Sequence, residues 1–404
     1  MRLSDEQRLD WLRLIRSERI GPRTFRALVN QFGGAGAALE ALPDLARRSG
    51  RRPLKIASRA EAEREMEALR RLGAVLVAQG EPDYPRTLQA IDTAPPLISM
   101  RGNPAVLSRP SVAIVGSRNA SASGAAFTER LAGQLGREGY LIVSGLARGI
   151  DTRAHRAALE SGTVAVLAGG HERVYPNENV PLLDAILAAG GAVVSEMPVG
   201  WEPRGRDFPR RNRIVSGLSY GVVVVEAVRR SGSLITARFA LEQGREVFAV
   251  PGSPLDPRAE GTNDLIRGGA TLCASAEHVA AVLQPLIRRG EAGTEQGLYR
   301  DGAQDAYGEA GPLWEELDLP GLVSVEPAPE AAIEQTASAE PGSDTDVILA
   351  LLGTAPVAVD DLARQAELPV RNVQRVLVEL ELEGHVDRQG ANAVSLRPAR
   401  ISRL

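Results

Sequence analysis

The sequence predicts an α/β protein in which helices cover both faces of a mostly parallel β-sheet. Between residues 110 and 283, short uniformly apolar runs alternate with segments whose apolar residues recur at helical spacing. The apolar runs lie at residues 112–115, 140–143, 163–167, 192–195, 221–225 and 246–250. They lack the polar alternation of a sheet with one face in water, so each strand is expected to be buried on both faces. This pattern is typical of an extended Rossmann-like sheet.

Residues 1–78, which precede the sheet, are predicted to form a small helical domain. Leu9 and Leu12 share one helical face, and a second amphipathic helix follows a Gly-Pro turn at residues 20–22. A turn of this kind before a helix resembles helix-hairpin-helix and sterile-alpha-motif domains. Residues 80–103 are rich in proline and turn residues, and we expect them to connect this domain to the sheet.

Two further segments follow the sheet, whose domain is assigned to residues 79–290. Residues 291–343 combine small residues, proline and acidic residues without periodicity, which predicts a flexible acidic linker. Residues 344–404 return to helical spacing and end in a hairpin pattern, which predicts a winged helix-turn-helix domain. Its third helix offers only Arg371 and Arg375, with glutamates behind them, so contact with a protein is as plausible as contact with a DNA backbone.

The charge of the chain divides unevenly between its body and the predicted linker. The net charge is −4, but fourteen acidic residues and one arginine lie between Glu291 and Asp346, which leaves +9 for the remainder. Lys55 is the only lysine, so this positive charge is carried by arginines. The planar guanidinium group suits bidentate contact with phosphate and stacking on bases. A basic body of this kind indicates an anionic partner.

Several classes of protein are disfavoured by what the sequence lacks. A single cysteine, Cys273, excludes an internal disulfide framework, and the absence of a long apolar run or leader predicts a cytoplasmic protein with no membrane partner. No Gly-Lys-Ser/Thr loop and no G-x-G-x-x-G fingerprint follows the first strand, which argues against nucleotide and dinucleotide cofactors. We expect no cofactor, no metal and no catalytic residue: His155 is assigned to capping and packing, and His171 and Glu196 lack any recognisable set of metal ligands.

Four loops are predicted at one edge of the sheet, because the carboxyl ends of parallel strands meet there. The first two loops combine small residues with one arginine each, and amide groups at a helix N-terminus beside a guanidinium group suit a phosphate. The third, residues 201–213, holds five arginines around an aromatic ring, which favours single-stranded nucleic acid. The predicted DNA-binding residues are Gly116, Ser117, Arg118, Ser144, Gly145, Arg148, Gly149, Phe208, Arg210, Arg211, Asn212, Arg213, Ser231, Gly232, Ser233 and Thr236.

The same loops resemble a known family. The motifs GSR, SGLARGID followed by AH, FPRRNRIVSGLS, SGSLITA, and VPG followed by GTNDLIRGGA are similar, in this order, to the DNA-processing protein A (DprA/Smf) family. The segments YPRTLQAIDTAPPLISMRGN and AGGHERVYPNEN extend the resemblance, which runs from about Asp83 to Ala270. One departure is Asn177, which follows Tyr175 and Pro176 where members often have a lysine.

The resemblance implies a bacterial protein that binds single-stranded DNA, protects it during natural transformation and loads the RecA recombinase on it, without known catalysis. It also implies a homodimer formed through the Rossmann-like domain near Leu265 and Ile266, and a C-terminal winged helix. The preference for single-stranded over double-stranded DNA stays open. Two alternatives are a phosphoribohydrolase-like enzyme of related fold that uses Glu242, and a partner-recruiting module that contacts DNA only incidentally.

Overall fold

The computed structural model describes residues 2–48, 54–291, 343–383, 385–389 and 393–397. The predicted fold class is confirmed: four helices precede a nine-stranded, mostly parallel sheet with helices on both faces, and a small winged-helix domain follows. The predicted linker at 291–343 lies, apart from its two end residues, outside the described residues. No helix in the described part of the chain is long and apolar enough to cross a membrane.

The N-terminal domain is a bundle of four helices: α1 (Asp5–Arg16), α2 (Pro22–Phe32), α3 (Ala35–Arg48) and α4 (Arg59–Arg71). Ser4 and Ser58 begin α1 and α4 with reciprocal capping boxes, which satisfy amide groups that a helix leaves unpaired at its start. Pro22 occupies the first turn of α2, where a missing N–H group is tolerated. The rings of Trp11 and Phe25 meet edge to face at 4.9 Å and join α1 to α2.

The sheet starts earlier in the chain than the sequence indicates. Strand β1 (Ala74–Ala78) pairs antiparallel with β2 (Leu97–Gly102), and β2 pairs antiparallel with the core of the sheet. Residues 74–78 therefore belong to the sheet and not to the helical domain, and residues 80–103 are more than a connector, since they hold β2 and the short helix α5 (Arg86–Gln89). The reason is packing, because Leu97 shares an apolar cluster with Leu9 of α1.

The other seven strands are parallel to one another. They are β3 (Ser111–Val115), β4 (Leu141–Ser144), β5 (Thr163–Val166), β6 (Ala192–Ser195), β7 (Gly221–Val224), β8 (Glu246–Ala249) and β9 (Thr271–Leu272). Their order is β6-β5-β4-β3-β7-β8-β9, so β3 lies between β4 and β7. The chain winds in opposite directions on the two sides of β3, and sheets of this kind bind ligands outside the carboxyl ends of the strands at such a point.

Helices cover both faces of the sheet, which explains the uniformly apolar strands. They are α6 (Ala122–Arg137), α7 (Ile150–Ala157), α8 (Val180–Ala188), α9 (Asp207–Gly217), α10 (Gly232–Glu242), α11 (Glu260–Arg267) and α12 (Ala276–Glu291). Val112 and Ile114 of β3 pack in one apolar cluster, whereas Ala113 and Val115 pack in the cluster on the opposite face. Successive side chains of a strand point to opposite faces, so both sets must be apolar.

The winged-helix domain comprises α13 (Asp344–Leu351), β10 (Val357–Ala358), α14 (Val359–Ala366), α15 (Val370–Leu382), β11 (Val386–Gln389) and β12 (Ala393–Leu396). It contacts the body at the start of α6, where Ala122 is buried among the apolar residues of the winged helix. Arg258 of the body donates to the carbonyl oxygen of Leu352 at 2.7 Å, just beyond the end of α13. A cation stabilises a helix C-terminus. This contact therefore holds the winged-helix domain, by the end of α13, against the body of the protein.

Candidate nucleic-acid interface

Loops after β3, β4 and β5, together with the first turns of α9, surround a shallow, half-open depression at the carboxyl edge of the sheet. Its volume is about 270 Å³ when the space that is open to solvent is included. Its lining residues are Arg118, Gly145, Ala147, Arg148, Tyr175, Pro176, Phe208 and Arg211. The structure therefore brings residues of the first three predicted loops to one place, whereas the residues predicted from the fourth loop do not line it.

The side chains that face this depression are aromatic and cationic. The ring of Phe208 meets the ring of Tyr175 edge to face at 5.6 Å, and the guanidinium carbon of Arg118 lies 5.3 Å from the centroid of the Phe208 ring. Arg148 is 43% exposed and forms an ion pair with Glu178 at 2.8 Å. Rings backed by arginine are the surfaces on which unstacked bases of a single strand bind.

Two amide groups of the second loop are already occupied by an internal carboxylate. Asp151 accepts from the backbone N–H groups of Gly145 and Ala147 at 3.0 and 3.3 Å. The N-cap of α7 is Gly149, and Asp151 folds back from the first turn of this helix. Burial raises the pKa of Asp151, and Arg211 and the two amide groups oppose this shift. The position that a phosphate would need is therefore filled by the protein itself.

Three predicted residues of the second loop serve packing. The hydroxyl of Ser144 is buried and donates to the carbonyl oxygen of Ile114 at 2.7 Å, and the DNA contact predicted for Ser144 stays a prediction. A Cβ atom on Gly145 would overlap the guanidinium group of Arg211. Gly149 has φ of 69° and lies against the backbone of residues 117 and 118, so only glycine fits there.

The arginine-rich stretch is helical from Asp207 onward, where Arg211 and Arg213 are buried and Arg210 is partly buried. Arg211 donates to the carbonyl oxygens of Gly145 and Val166, and burial lowers the pKa of Arg211 to about 10. Arg210 and Arg213 both form ion pairs with the buried carboxylate of Glu196. The DNA contacts predicted for these three arginines stay predictions, and in the structure their guanidinium groups have partners inside the protein.

Glu196 is the anchor of this buried cluster. Burial raises the pKa of Glu196, but Arg210 and Arg213 outweigh burial and hold the pKa below its ordinary value. Arg213 also donates to the carbonyl oxygen of Thr93, and Arg16 of α1 donates to the backbone carbonyl of Glu196 at 3.0 Å. The cluster therefore joins α9, the end of β6 and the helical domain. Glu196 follows a strand in the sequence, but nothing in the sequence shows that two arginines converge on it.

The fourth loop has a capping arrangement. Ser231 caps α10 by accepting from the backbone N–H of Ser233, and both Ser233 and Thr236 are buried. The side-chain amide of Asn212 donates to the carbonyl oxygen of Gly232 at 3.2 Å and so links α9 to this loop. The prediction that these residues contact DNA remains a prediction, with Gly232 the most exposed of them.

The first loop leads into α6 over a second internal carboxylate. Glu226, which follows β7, accepts from both the backbone N–H and the hydroxyl of Ser121, the N-cap of α6. Burial raises the pKa of Glu226. Gly116 packs against Ile150, since a Cβ atom there would lie 2.7 Å from that side chain, and the hydroxyl of Ser117 accepts from Asn119 N–H at 3.1 Å. Sequence reasoning missed Glu226, although an acid directly after a buried strand was a visible signal.

The isolated titratable groups have structural partners. Nδ1 of His155 lies 2.7 Å from the hydroxyl of Thr163, and Nε2 of His171 lies 3.0 Å from that of Ser99. Burial lowers the pKa of His155 to about 3 and that of His171 to about 4, and raises the pKa of the Cys273 thiol to about 12. Within the described ranges, no three His, Cys, Asp or Glu residues are grouped so as to hold a metal.

The fold and the site define a three-part protein whose Rossmann-like sheet carries an arginine and aromatic surface at its ligand-binding edge. Residues 75–284 match the family described as DNA recombination-mediator protein A, residues 5–68 match a DprA-like N-terminal HHH domain, and residues 329–392 match a DprA winged helix domain. The chain belongs to the DNA recombination-mediator protein A family, known as DprA or Smf. The predicted family, helical domain and winged helix are thereby confirmed.

Named relatives agree with this assignment. Protein Smf of Escherichia coli (strain K12) is 38% identical over 318 residues, which cover 78% of this chain and 76% of that protein. The DNA processing protein DprA of Streptococcus pneumoniae (strain ATCC BAA-255 / R6) is 48% identical over 200 residues, covering 49% of this chain and 70% of that one. The crystal structure of DprA from Streptococcus pneumoniae superposes with a TM-score of 0.56 at 36% identity, over 70% of this chain and 98% of that chain.

Proposed function

We propose that this protein binds single-stranded DNA at the carboxyl edge of its sheet, protects DNA taken up in natural transformation and loads the RecA recombinase on it. The observation that carries the proposal is the surface formed by Arg118, Tyr175 and Phe208, which offers a ring for a base beside a guanidinium group for a phosphate. Membership of a family described as recombination mediators supports the assignment to DNA processing.

The buried carboxylates decide how the strand is held. Asp151 and Glu226 occupy amide and hydroxyl groups at two helix starts, so the phosphates of the strand meet side chains at the rim of the depression. Arg118 and Arg148 are the rim arginines of the first two loops. The ion pair of Arg148 with Glu178 is half-exposed, and an exposed pair contributes little free energy, so a phosphate is able to replace Glu178.

Fluorescence anisotropy with labelled oligo-dT tests this proposal. We expect Arg118→Ala to weaken binding to all sequences alike and to reduce the slope of log affinity against log salt by about 0.7, the contribution of one phosphate contact on a single strand. Arg137→Ala, which removes an exposed arginine from the last turn of α6, is the matched control and should leave the slope unchanged. A slope near zero for the unmodified protein would refute electrostatic binding.

The recombinase and dimer parts of the proposal have their own tests. The protein should accelerate RecA filament assembly on single strands coated with a single-strand-binding protein, and Arg118→Ala should lose this effect together with DNA affinity. For the homodimer, Leu265 and Ile266 are half-buried on α11, and Leu272 on the edge strand β9 is 42% exposed. We expect Ile266→Glu to give a monomer in light scattering, whereas an unchanged mass would place the interface elsewhere.

A non-enzymatic role is part of this proposal. The glutamate required by the phosphoribohydrolase alternative, Glu242, is exposed on α10 and bonded to Arg238 at 2.9 Å. A nucleotide-hydrolysis assay should therefore show no turnover. Turnover that Glu242→Gln abolishes would favour the enzyme instead. The second alternative is a partner-recruiting module. It would be supported if the Arg118→Ala protein still loaded RecA although it had lost its affinity for DNA.

A further inference from the structure

The loop after β6 carries a second aromatic and cationic pair that the proposed function does not use. Trp201 is half-buried, and the guanidinium carbon of Arg204 lies 4.9 Å from the centroid of a Trp201 ring. This repeats the arrangement of Arg118 with Phe208, where the distance is 5.3 Å. The edge of the sheet therefore presents two arginine-backed rings.

Asp207 connects the two rings, because its carboxylate bonds to Trp201 and the next residue in the chain is Phe208. Its buried carboxylate accepts from the indole N–H of Trp201 and from the backbone N–H of Arg204, each at 2.9 Å. Phe208 is the next residue, and consecutive Cα atoms are about 3.8 Å apart. The Trp201 indole is thus hydrogen-bonded to the residue that directly precedes Phe208 in the chain.

The loop that holds Trp201 is fixed on the loop that holds Tyr175. The backbone N–H of Gly170 donates to the carbonyl oxygen of Trp201 at 2.9 Å. A Cβ atom on Gly169 would lie 2.8 Å from the same oxygen, so glycine is needed for this approach of the two backbones. The loops that hold Trp201 and Tyr175 therefore support each other through backbone contacts. Such preorganisation reduces the conformational entropy that is lost when a ligand binds.

The charges around Trp201 balance, which separates this place from the arginine rim. Apart from Glu196, whose charge is paired with Arg210 and Arg213, the charged residues at positions 167–176 and 196–207 are Arg173, Arg204 and Arg206 against Glu172, Glu202 and Asp207. Attraction of phosphates is therefore weak here, and the surface on offer is the indole ring. Stacking of a base on an aromatic ring is tolerant of sequence.

We propose that Trp201, backed by Arg204, is a second base-stacking subsite for the strand whose neighbouring base lies on Phe208. The inference rests on the proposed function, because it takes single-stranded DNA to occupy the adjacent depression. It adds a contact of a different kind, one whose contribution to affinity does not depend on salt.

Tryptophan fluorescence tests the subsite directly. The chain has three tryptophans, Trp11, Trp201 and Trp314, so a Trp11→Phe, Trp314→Phe double variant reports on Trp201 alone. We expect oligo-dT to quench this emission, whereas an oligomer of the same length built of abasic sites should not, because it offers phosphates without bases. Anisotropy on the same samples measures binding of each oligomer independently.

Affinity of substituted proteins gives the second readout. Trp201→Ala should lower affinity for oligo-dT by roughly five- to a hundredfold without changing the salt slope, and Trp201→Phe should retain most of the affinity. Binding of oligo-dT without quenching, or equal quenching by the abasic oligomer, would overturn the inference and leave the proposed function intact. If oligo-dT does not bind in anisotropy, the proposed function itself fails.

Discussion

Replacing Arg213 by alanine should lower the stability of the fold and not the number of DNA contacts. The Arg213 side chain is 5% exposed and pairs with Glu196, which is equally buried. Removing one member of a buried ion pair leaves an uncompensated charge and typically costs about 3–5 kcal/mol. Because Arg210 still neutralises part of the Glu196 charge, we expect the lower end, about 3 kcal/mol.

Thermal unfolding is the assay for this substitution. A loss of about 3 kcal/mol in a domain of roughly 200 residues lowers Tm by about 6–12 °C. Arg118→Ala is the matched control, since a substitution at a half-exposed position outside a buried network changes stability by no more than about 0.5 kcal/mol. At a temperature below both transitions, Arg118→Ala should lose DNA affinity while Arg213→Ala retains the salt slope of the unmodified protein.

A double-substitution cycle sharpens the result. Glu196→Gln and Arg213→Ala remove two members of the same pair, so their combined loss should be smaller than the sum of the single losses. The reasoning would be refuted if Arg213→Ala unfolded at the same temperature as the unmodified protein but had a salt slope reduced by one phosphate contact. That outcome would restore Arg213 to the role first predicted for it.

Three further predictions concern the buried side chains of His155 and Asp151 and the contact of Arg258 with the winged-helix domain. Because the pKa of His155 falls from its ordinary 6.5 to about 3 in the folded state, the unfolded chain binds the extra proton, and the free energy of unfolding should fall as pH drops below about 6.5. This loss should reach about 2 kcal/mol at pH 5, and urea titrations at pH 5 and at a pH above about 6.5 should show a smaller loss for His155→Gln. The same pH dependence in the variant and in the unmodified protein would contradict this expectation. Asp151→Ala exposes the amide groups of Gly145 and Ala147, so inorganic phosphate should raise its Tm but not that of the unmodified protein. Arg258→Ala removes the contact with the end of α13 and should enlarge the particle in small-angle X-ray scattering, whereas Arg267→Ala, at an exposed site, should not.

The fold could be predicted from the sequence where a residue pattern is typical of only one kind of structural environment. The strand at residues 112–115 is apolar at every position because both faces of the sheet are covered, and this is visible without a structure. The early antiparallel strands were missed for the opposite reason. β2 follows two prolines and ends in a glycine, so its surroundings in the sequence indicate a turn, and only pairing with β1 and β6 makes it a strand.

The surroundings of the candidate site could be predicted from the sequence only in part. The aromatic and cationic centre at Arg118 and Phe208 was found because both residues follow strand ends on the same edge. Arg211 and Arg213 were predicted to contact DNA because they belong to a run of five arginines around Phe208 after a strand. Their partners lie far along the chain or in the backbone, as with the carbonyl oxygens that Arg211 meets. A pattern of charges along a sequence does not reveal which charges cancel in space.

The carboxylate of Asp151 inside the second loop also bears on what competes for this site. Free nucleotides bind Rossmann-like proteins mainly by seating their phosphates on loop amide groups, and here those groups are engaged. A mononucleotide is left with one or two rim contacts, whereas a polymer collects many such contacts at once. The site is therefore expected to bind long strands in preference to free nucleotides. Contacts made by long side chains at a rim would also let the strand shift its register, which suits the recombinase loading proposed above.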